Sequence, residues 1–521
     1  MAVIDLGSNS WRLVVFTYQP GPPSDHGPWW KRTDELYETV RIGAGLGAPG
    51  RLGKEAISRG LETLTVFERF CRANGLAPED VHPVATSAIR DASNRAEFVR
   101  RAERRTGLRI EVLSEDDEAF FGYVAAINTS TMTDGVVLEI GGGSLQLIRV
   151  ADRLARERVS FPLGAVLLTE ELLPGPGAAK KKELERVRDR VRETLGDLDW
   201  LPAPAEAPGT PAGQRRRLVG LGGAVRNLAA AAQHHTDYLD LGVQGYRITD
   251  DTLDELVRTL ARLPAGERAT VPGIKPGRAD IILAAALVLQ TVLEFGEFEE
   301  VEATEAGLRE GVFLARTLLA DRPEPLFEDV REAAVRNLAI QYESDIAHVE
   351  HVARLSLQMF DSLVDQGLLE PVPGERDLLR AAAMLHDVGM TIAYDDHHKH
   401  SHYLIVSAEL PGFDPRERAL IAQISRYHRK GTPKLGELEE LAEPGDEELL
   451  ERCSVILRLA EHLERGRDQS VLQARLRANG RGVDLHLDAV GKNLILPRWS
   501  VERYGDDEAF ERVFGRRLLI G

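Results

Sequence analysis

The sequence predicts an α/β portion built on a duplicated strand–loop–strand unit, followed by an all-helical portion and a small α+β tail. Three observations predict this. The phrase Val3-Ile4-Asp5-Leu6-Gly7-Ser8-Asn9-Ser10 returns as Val137-Leu138-Glu139-Ile140-Gly141-Gly142-Gly143-Ser144. Strand-like and helix-like segments alternate through the first half of the chain. After Asp321-Arg322-Pro323-Glu324-Pro325 the pattern turns almost continuously helical to about Glu464, and strands resume between Ser470 and Gly521. A chain of 521 residues is too long for one core, so several domains are expected.

In each copy of the repeat an apolar strand runs into an acid, a turn of small residues and a second apolar run, Leu13-Val14-Val15-Phe16 and Leu147-Ile148. Glycine and serine at such a bend let backbone N–H groups approach an anion, and an acid at the strand end can hold a divalent cation. Further along, Leu52–Asn74 has helical spacing, Val81–Thr86 reads as a strand, Ala92–Thr106 as a helix and Ile110–Leu113 as a strand. Glu115–Ile127 reads as a helix opening with four acids, Glu115, Asp116, Asp117 and Glu118, which suit a helix N-terminus electrostatically. Pro202–Gly213 is composed as a loop. Arg217–Leu221 is a strand that ends at Gly222-Gly223, before a helix over Ala224–Gln233. Strand, glycine pair and helix N-terminus form an anion-binding arrangement. Ile281–Phe295 is too short to span a bilayer, contains Gln290 and Glu294, and reads as a buried helix.

Composition is ordinary for a globular chain, 43% hydrophobic and 28% charged. Cys71 and Cys453 are the only cysteines, which fits a reducing cytoplasm, and the N-terminus enters a strand without a signal-peptide pattern. A net charge of −18 argues against nucleic-acid binding, and neither a membrane span nor a membrane partner is expected. Charges beyond about 8 Å are largely screened at physiological salt, so local basic clusters decide what an anion meets. Arg426, His428, Arg429 and Lys430 form one such cluster. Arg100, Arg101, Arg104, Arg105 and Arg109, Lys180–Lys182 and Arg215–Arg217 read as solvated surface.

These motifs together resemble the exopolyphosphatase and guanosine pentaphosphate phosphohydrolase family of the actin-like ATPase superfamily. The resemblance rests on Ile4–Ser10, Ala85-Thr86-Ser87-Ala88-Ile89-Arg90, Glu118-Ala119, Ile140–Ser144, Gly222-Gly223 and Gly307-Leu308-Arg309-Glu310-Gly311. It continues through Met384-Leu385-His386-Asp387-Val388-Gly389, His400-Ser401 and Arg426-Tyr427-His428-Arg429-Lys430. It implies two ribonuclease H-like lobes, 1–126 and 127–320, with the active site between them, then an HD-like helical domain, 321–468, and an α+β domain, 469–521. It further implies Mg²⁺-assisted attack of water on a terminal phosphoryl group, of inorganic polyphosphate or of guanosine pentaphosphate. Glu118 would be the catalytic base and Arg90 a phosphate fork. Asp5 would hold the metal; Gly7, Ser8, Asn9, Ser10, Gly141, Gly142, Gly143, Ser144, Gly222 and Gly223 would cradle phosphates.

Two positions depart from the family pattern, which has aspartate at Glu139 and glutamate at Gln146. Glu139 keeps the charge with longer reach, and Gln146 is left to act through a metal-bound water. A site shifted toward Mn²⁺ is one consequence, and a non-catalytic polyphosphate sensor is the extreme alternative. In the helical domain, His351, His386, Asp387 and Glu461 are spaced like HD-type metal ligands, and His397, His398, His400, His402 and His428 add candidates. In the resembled family this domain often serves instead as a polyphosphate channel wall. Arg426, His428, Arg429, Lys430 and His400 fit that role, and both readings stay open. A channel extended across two protomers gives a reason for a homodimer.

Overall fold

Two sheets repeat one topology. The first contains β1 (Ala2–Leu6), β2 (Trp11–Gln19), β3 (Trp29–Glu38), β4 (Val81–Ala85) and β5 (Glu111–Val112), in the order β3-β2-β1-β4-β5. The second contains β6 (Gly135–Ile140), β7 (Leu145–Ala151), β8 (Leu154–Phe161), β9 (Arg217–Leu221), β10 (Arg247–Thr249) and β11 (Glu300–Ala303), in the order β10-β11-β9-β6-β7-β8. In each, a hairpin pairs antiparallel, β1 with β2 and β6 with β7, and the first strand then pairs in parallel, β1 with β4 and β6 with β9. This is the ribonuclease H-like arrangement, present twice. The computed structural model describes residues 1–20, 28–44, 50–202, 216–236, 238–490, 494–504 and 507–520. Beyond Pro202, the loop expected over Pro202–Gly213 lies largely outside the described residues.

Parallel pairing needs crossover connections, and helices supply them. In helix Lys54–Ala73 the buried set Ala56, Ile57, Gly60, Leu61, Leu64, Phe67 and Cys71 forms one stripe at three- and four-residue spacing. Helices on the sheet explain why Ala2, Val3, Ile4 and Leu6 are all buried where a half-exposed strand would alternate. The apolar run near Ile281 forms the buried helix Ile282–Gly296. Helix Leu308–Phe313 falls in the 127–320 segment yet packs on first-lobe elements. A Cβ at Gly311 would stand 1.9 Å from the Phe121 carbonyl oxygen, and Phe313 stacks on Phe16 of β2 at 4.3 Å. Glycine at 311 lets this helix lie against Glu115–Ile127.

The chain separates into two compact units, one of Met1–Gly21 and Trp30–Val330, the other including Arg331–Gly521. The second unit carries helices Val330–Gln341, Ile346–Asp365, Glu375–Leu385, His397–Ser407, Pro415–Arg426 and Asp446–Leu463. A three-stranded sheet follows, β12 (Val471–Ala478), β13 (Val483–Ala489) and β14 (Leu518–Ile520). Val471, Leu476, Leu485 and Phe510 share one apolar core with Leu355, Leu379 and Ile456, so the tail after residue 469 is built onto the helices. Among the described residues no helix is long and apolar enough to cross a membrane.

Candidate active site

The two hairpin loops occupy identical places. Leu6 pairs with Trp11 and Ile140 with Leu145, so each bend spans four residues, Gly7–Ser10 and Gly141–Ser144. One step down each ladder Asp5 lies opposite Arg12 and Glu139 opposite Gln146, which puts both acids at equivalent strand ends. Each loop has its carbonyls taken by scaffold donors. Gly7 O accepts from Trp11 Nε1 at 3.1 Å, Ser8 O from the Gly43 amide at 3.0 Å and Asn9 O from the Arg41 amide at 2.8 Å. Gly141 O and Gly142 O accept from Ala165 and Val166 at 2.9 Å each, and Gly143 O from Gly164 at 3.2 Å. The amides of Ser8, Asn9, Gly142 and Gly143 have no protein acceptor among the described residues. Saturated carbonyls and open N–H groups make an anion cradle.

The loops face each other. A Cβ on Gly142 would stand 3.0 Å from Ser8 Cβ, and one on Gly143 would stand 2.9 Å from Ser87 Oγ. Ser8 Oγ bonds Ser87 Oγ at 2.8 Å and accepts from the Ala88 amide at 3.2 Å, joining the Thr86-Ser87 segment to the first loop. Between them lies a cavity of about 100 Å³, lined by both loops, Gly222-Gly223, the acids Asp5, Glu118 and Glu139, and the arginines Arg12, Arg226, Arg278 and Arg309. Gly222 has φ +89°, a left-handed conformation that turns β9 into the helix Gly222–His235 beside Glu139.

The acid run divides by helical phase. Ser114 Oγ caps the helix by accepting from the Asp117 amide at 3.0 Å, and Asp116 pairs with Arg158 at 2.6 Å on the surface. Glu118 turns inward, 9% exposed, and its Oε2 accepts from Arg90 Nη1 at 2.6 Å. Burial lifts the Glu118 carboxyl to about 7 despite the opposing charge of Arg90. Burial, with the charges of Glu118 and Asp5, lifts Glu139 to about 8. Burial also raises Asp5, against the charge of Arg309, whose Nη1 lies 3.6 Å from Asp5 Oδ2. Burial and the neighbouring Arg309 and Arg226 pull Arg12 down to about 10. Burial thus lowers Arg12 and raises all three acids, so the site holds opposite charges away from water.

Several residues sit elsewhere than the sequence reading expects. Arg90, expected as a phosphate fork, is not among the residues that line the cavity; it holds Glu118 and approaches Asp91 at 3.4 Å and Glu115 at 3.7 Å. Gln146 and Ser144 are buried and Gly143 is not among the lining residues, while Gly141 and Gly142 are. Gln146 Oε1 is buried without a hydrogen-bond partner. Sequence reasoning missed Arg12, Arg226, Arg278 and Arg309 as site residues. Arg12 stands two residues past the first loop, Arg226 three past the glycine pair and Arg309 within Gly307–Gly311, so these three stood in or beside motifs already identified.

In the second unit His348, rather than His351, meets His386 and Glu461, with Nε2 3.1 Å from Glu461 Oε2. His351 is three residues further round the same helix and faces Glu464 at 3.4 Å and Arg354 at 3.1 Å. His428 is wholly buried beside His397, at 3.1 Å, which corrects its place on a channel surface; Arg426, Arg429 and His400 are partly exposed and Lys430 exposed.

Two actin-type lobes with facing anion loops define a phosphate-handling protein of the actin-like class. The sequence profile of the Ppx/GppA phosphatase family matches residues 33–320 and that of Ppx/GppA phosphatase domain III matches 330–496. The chain belongs to the Ppx/GppA phosphatase family. It is 27% identical to the Aquifex aeolicus member of that family, over 62% of this chain and 98% of that one, with a TM-score of 0.50. An exopolyphosphatase from Cytophaga hutchinsonii shares the fold, with 22% identity over 60% of this chain and 96% of that one and a TM-score of 0.52.

Proposed function

We propose that this phosphatase is an exopolyphosphatase that removes terminal orthophosphate from inorganic polyphosphate. The observation that carries the reading is the cavity itself: open loop amides and four arginines converge on a space whose described lining contains no aromatic side chain. A phosphate chain needs only donors and cations, whereas a guanine base would be expected to find an aromatic ring to stack on.

In this reading the loop amides and the arginines hold the terminal phosphoryl group and the charge that spreads over its oxygens in the transition state. Glu118 takes a proton from water as the water oxygen bonds to phosphorus. The phosphoanhydride P–O bond breaks, and orthophosphate leaves with a chain one unit shorter. Arg90 fixes the orientation of Glu118. Asp5 and Glu139 offer an all-oxygen donor set, and Glu139 Oε2 is buried without a hydrogen-bond partner, so they fit a hard divalent cation such as Mg²⁺, or Mn²⁺. Bound there, the ion would neutralise phosphate charge.

The test is orthophosphate release from long-chain polyphosphate and from guanosine pentaphosphate side by side, with Mg²⁺ or Mn²⁺. Turnover of polyphosphate is the expected result. Turnover of the nucleotide alone would reassign the substrate, and turnover of neither would leave the protein a binding module.

A further inference from the structure

The second unit contains a buried nest of imidazole nitrogens and carboxylates in close approach. Three of its histidines donate Nδ1–H to the backbone carbonyl three residues earlier: His386 to Ala383 at 2.6 Å, His397 to Tyr394 at 2.8 Å and His428 to Ser425 at 2.7 Å. Each neutral ring so oriented carries a lone pair on Nε2. Those lone pairs point at one another and at two carboxylates. His397 Nε2 lies 3.1 Å from His428 Nε2 and 3.3 Å from Asp387 Oδ1; His386 Nε2 lies 3.2 Å from Glu461 Oε2 and 3.6 Å from Asp387 Oδ1. His348 Nε2 lies 3.1 Å from Glu461 Oε2 and 3.7 Å from Asp387 Oδ2, and neither of its ring nitrogens is aligned for a hydrogen bond. His348, His386, Asp387, His397 and His428 are each at most 5% exposed. The guanidinium of Arg467, on Asp387 Oδ2 at 2.6 Å, supplies one positive charge beside two carboxylates.

We propose that His348, His386, Asp387 and Glu461 hold a divalent transition-metal ion, with His397 and His428 extending the ligand shell past the other oxygen of Asp387. Donors bound about 2.1 Å from one ion stand about 3.0 Å apart in octahedral and about 3.4 Å apart in tetrahedral geometry. The 3.1 and 3.2 Å separations fall within that spacing, and those of 3.6 and 3.7 Å to the two oxygens of Asp387 lie a few tenths of an ångström beyond it. Two imidazoles, four with His397 and His428, select a borderline metal such as Fe²⁺, Co²⁺ or Zn²⁺ over Mg²⁺, which separates this centre from the oxygen-only set at the phosphate loops. The scaffold is pre-formed: Ser401 Oγ donates to His386 O at 2.5 Å and accepts from the Gly389 amide at 2.9 Å, locking the His386-Asp387 turn to helix His397–Ser407.

The experiment is a Co²⁺ titration of chelator-stripped full-length protein carrying Asp5→Ala and Glu139→Ala, read by visible ligand-field absorption. The expected result is a saturable band typical of nitrogen ligation. It should be lost, or its affinity weakened at least about tenfold, by His386→Gln or His348→Gln and kept by His351→Gln. Circular dichroism verifies that each variant is folded, and either of the two ligand variants suffices if the other is not. Absence of the band in the parent protein, or an unchanged titration in a folded His386→Gln or His348→Gln variant, would overturn the proposal. So would loss of the band in His351→Gln alone.

Discussion

At the residue scale Glu118 is the group on which the proposed chemistry turns. Its carboxyl, lifted to about 7, must be ionised to accept a proton from water, so activity falls as pH drops through that value. The expected pH–rate profile for polyphosphate cleavage has an acid limb near neutrality. Arg90 favours the ionised form, so Arg90→Ala moves that limb to higher pH as well as lowering kcat. A limb at ordinary carboxylate pH in the wild type would remove Glu118 from the base role. The arginines illustrate what the sequence conceals. Arg12, Arg226, Arg278 and Arg309 come from four distant segments, and although three of them stand in or beside the motifs, only the fold brings the four to one cavity. Asp5, Glu139 and the loop residues were legible because each loop is contiguous and its chemistry is local.

At the element scale the helix phase decides roles that sequence spacing leaves open. Behind the Ser114 cap, the acids Glu115 to Glu118 supply both the charge of the first turn and the inward carboxylate, and only the turn of the helix tells which is which. The same phase separates His348 from His351, a distinction that three residues of spacing cannot make without the partner helices. Helix Leu308–Phe313 shows the limit of a boundary drawn by sequence, since the segment carrying Arg309 returns to the first lobe through Gly311. Gly311→Ala would push that helix off Phe121. The expected cost is roughly 1–3 kcal/mol of stability, measured by denaturant titration, together with reduced kcat as Arg309 and Glu118 shift. A variant of unchanged stability and activity would show that the contact is not needed.

At the scale of the whole molecule a net charge of −18 would face the polyanionic substrate of the proposed function, and the proposed attraction lies in the cavity. The repulsion reaches about 30 Å at 0.01 M salt but only about 8 Å at 0.15 M, while the arginines act in contact. Thus kcat/KM for polyphosphate is expected to rise over that range, and a monotonic fall would mean that a basic surface guides the chain. The duplicated topology was legible because the repeat carries both the strand pattern and the loop chemistry. The sharing of one core by the helices and the tail after residue 469 was not, because the packing of Val471 and Phe510 on Leu355 and Ile456 leaves no mark in local sequence.

The most direct test of the central claim is the steady-state rate of orthophosphate release from polyphosphate by Glu118→Gln, which keeps the size and the contact to Arg90 but cannot take a proton. The account predicts a fall in kcat of at least about 100-fold with KM within about threefold of wild type. A kcat within about threefold of wild type would contradict it and move the chemistry away from this cavity.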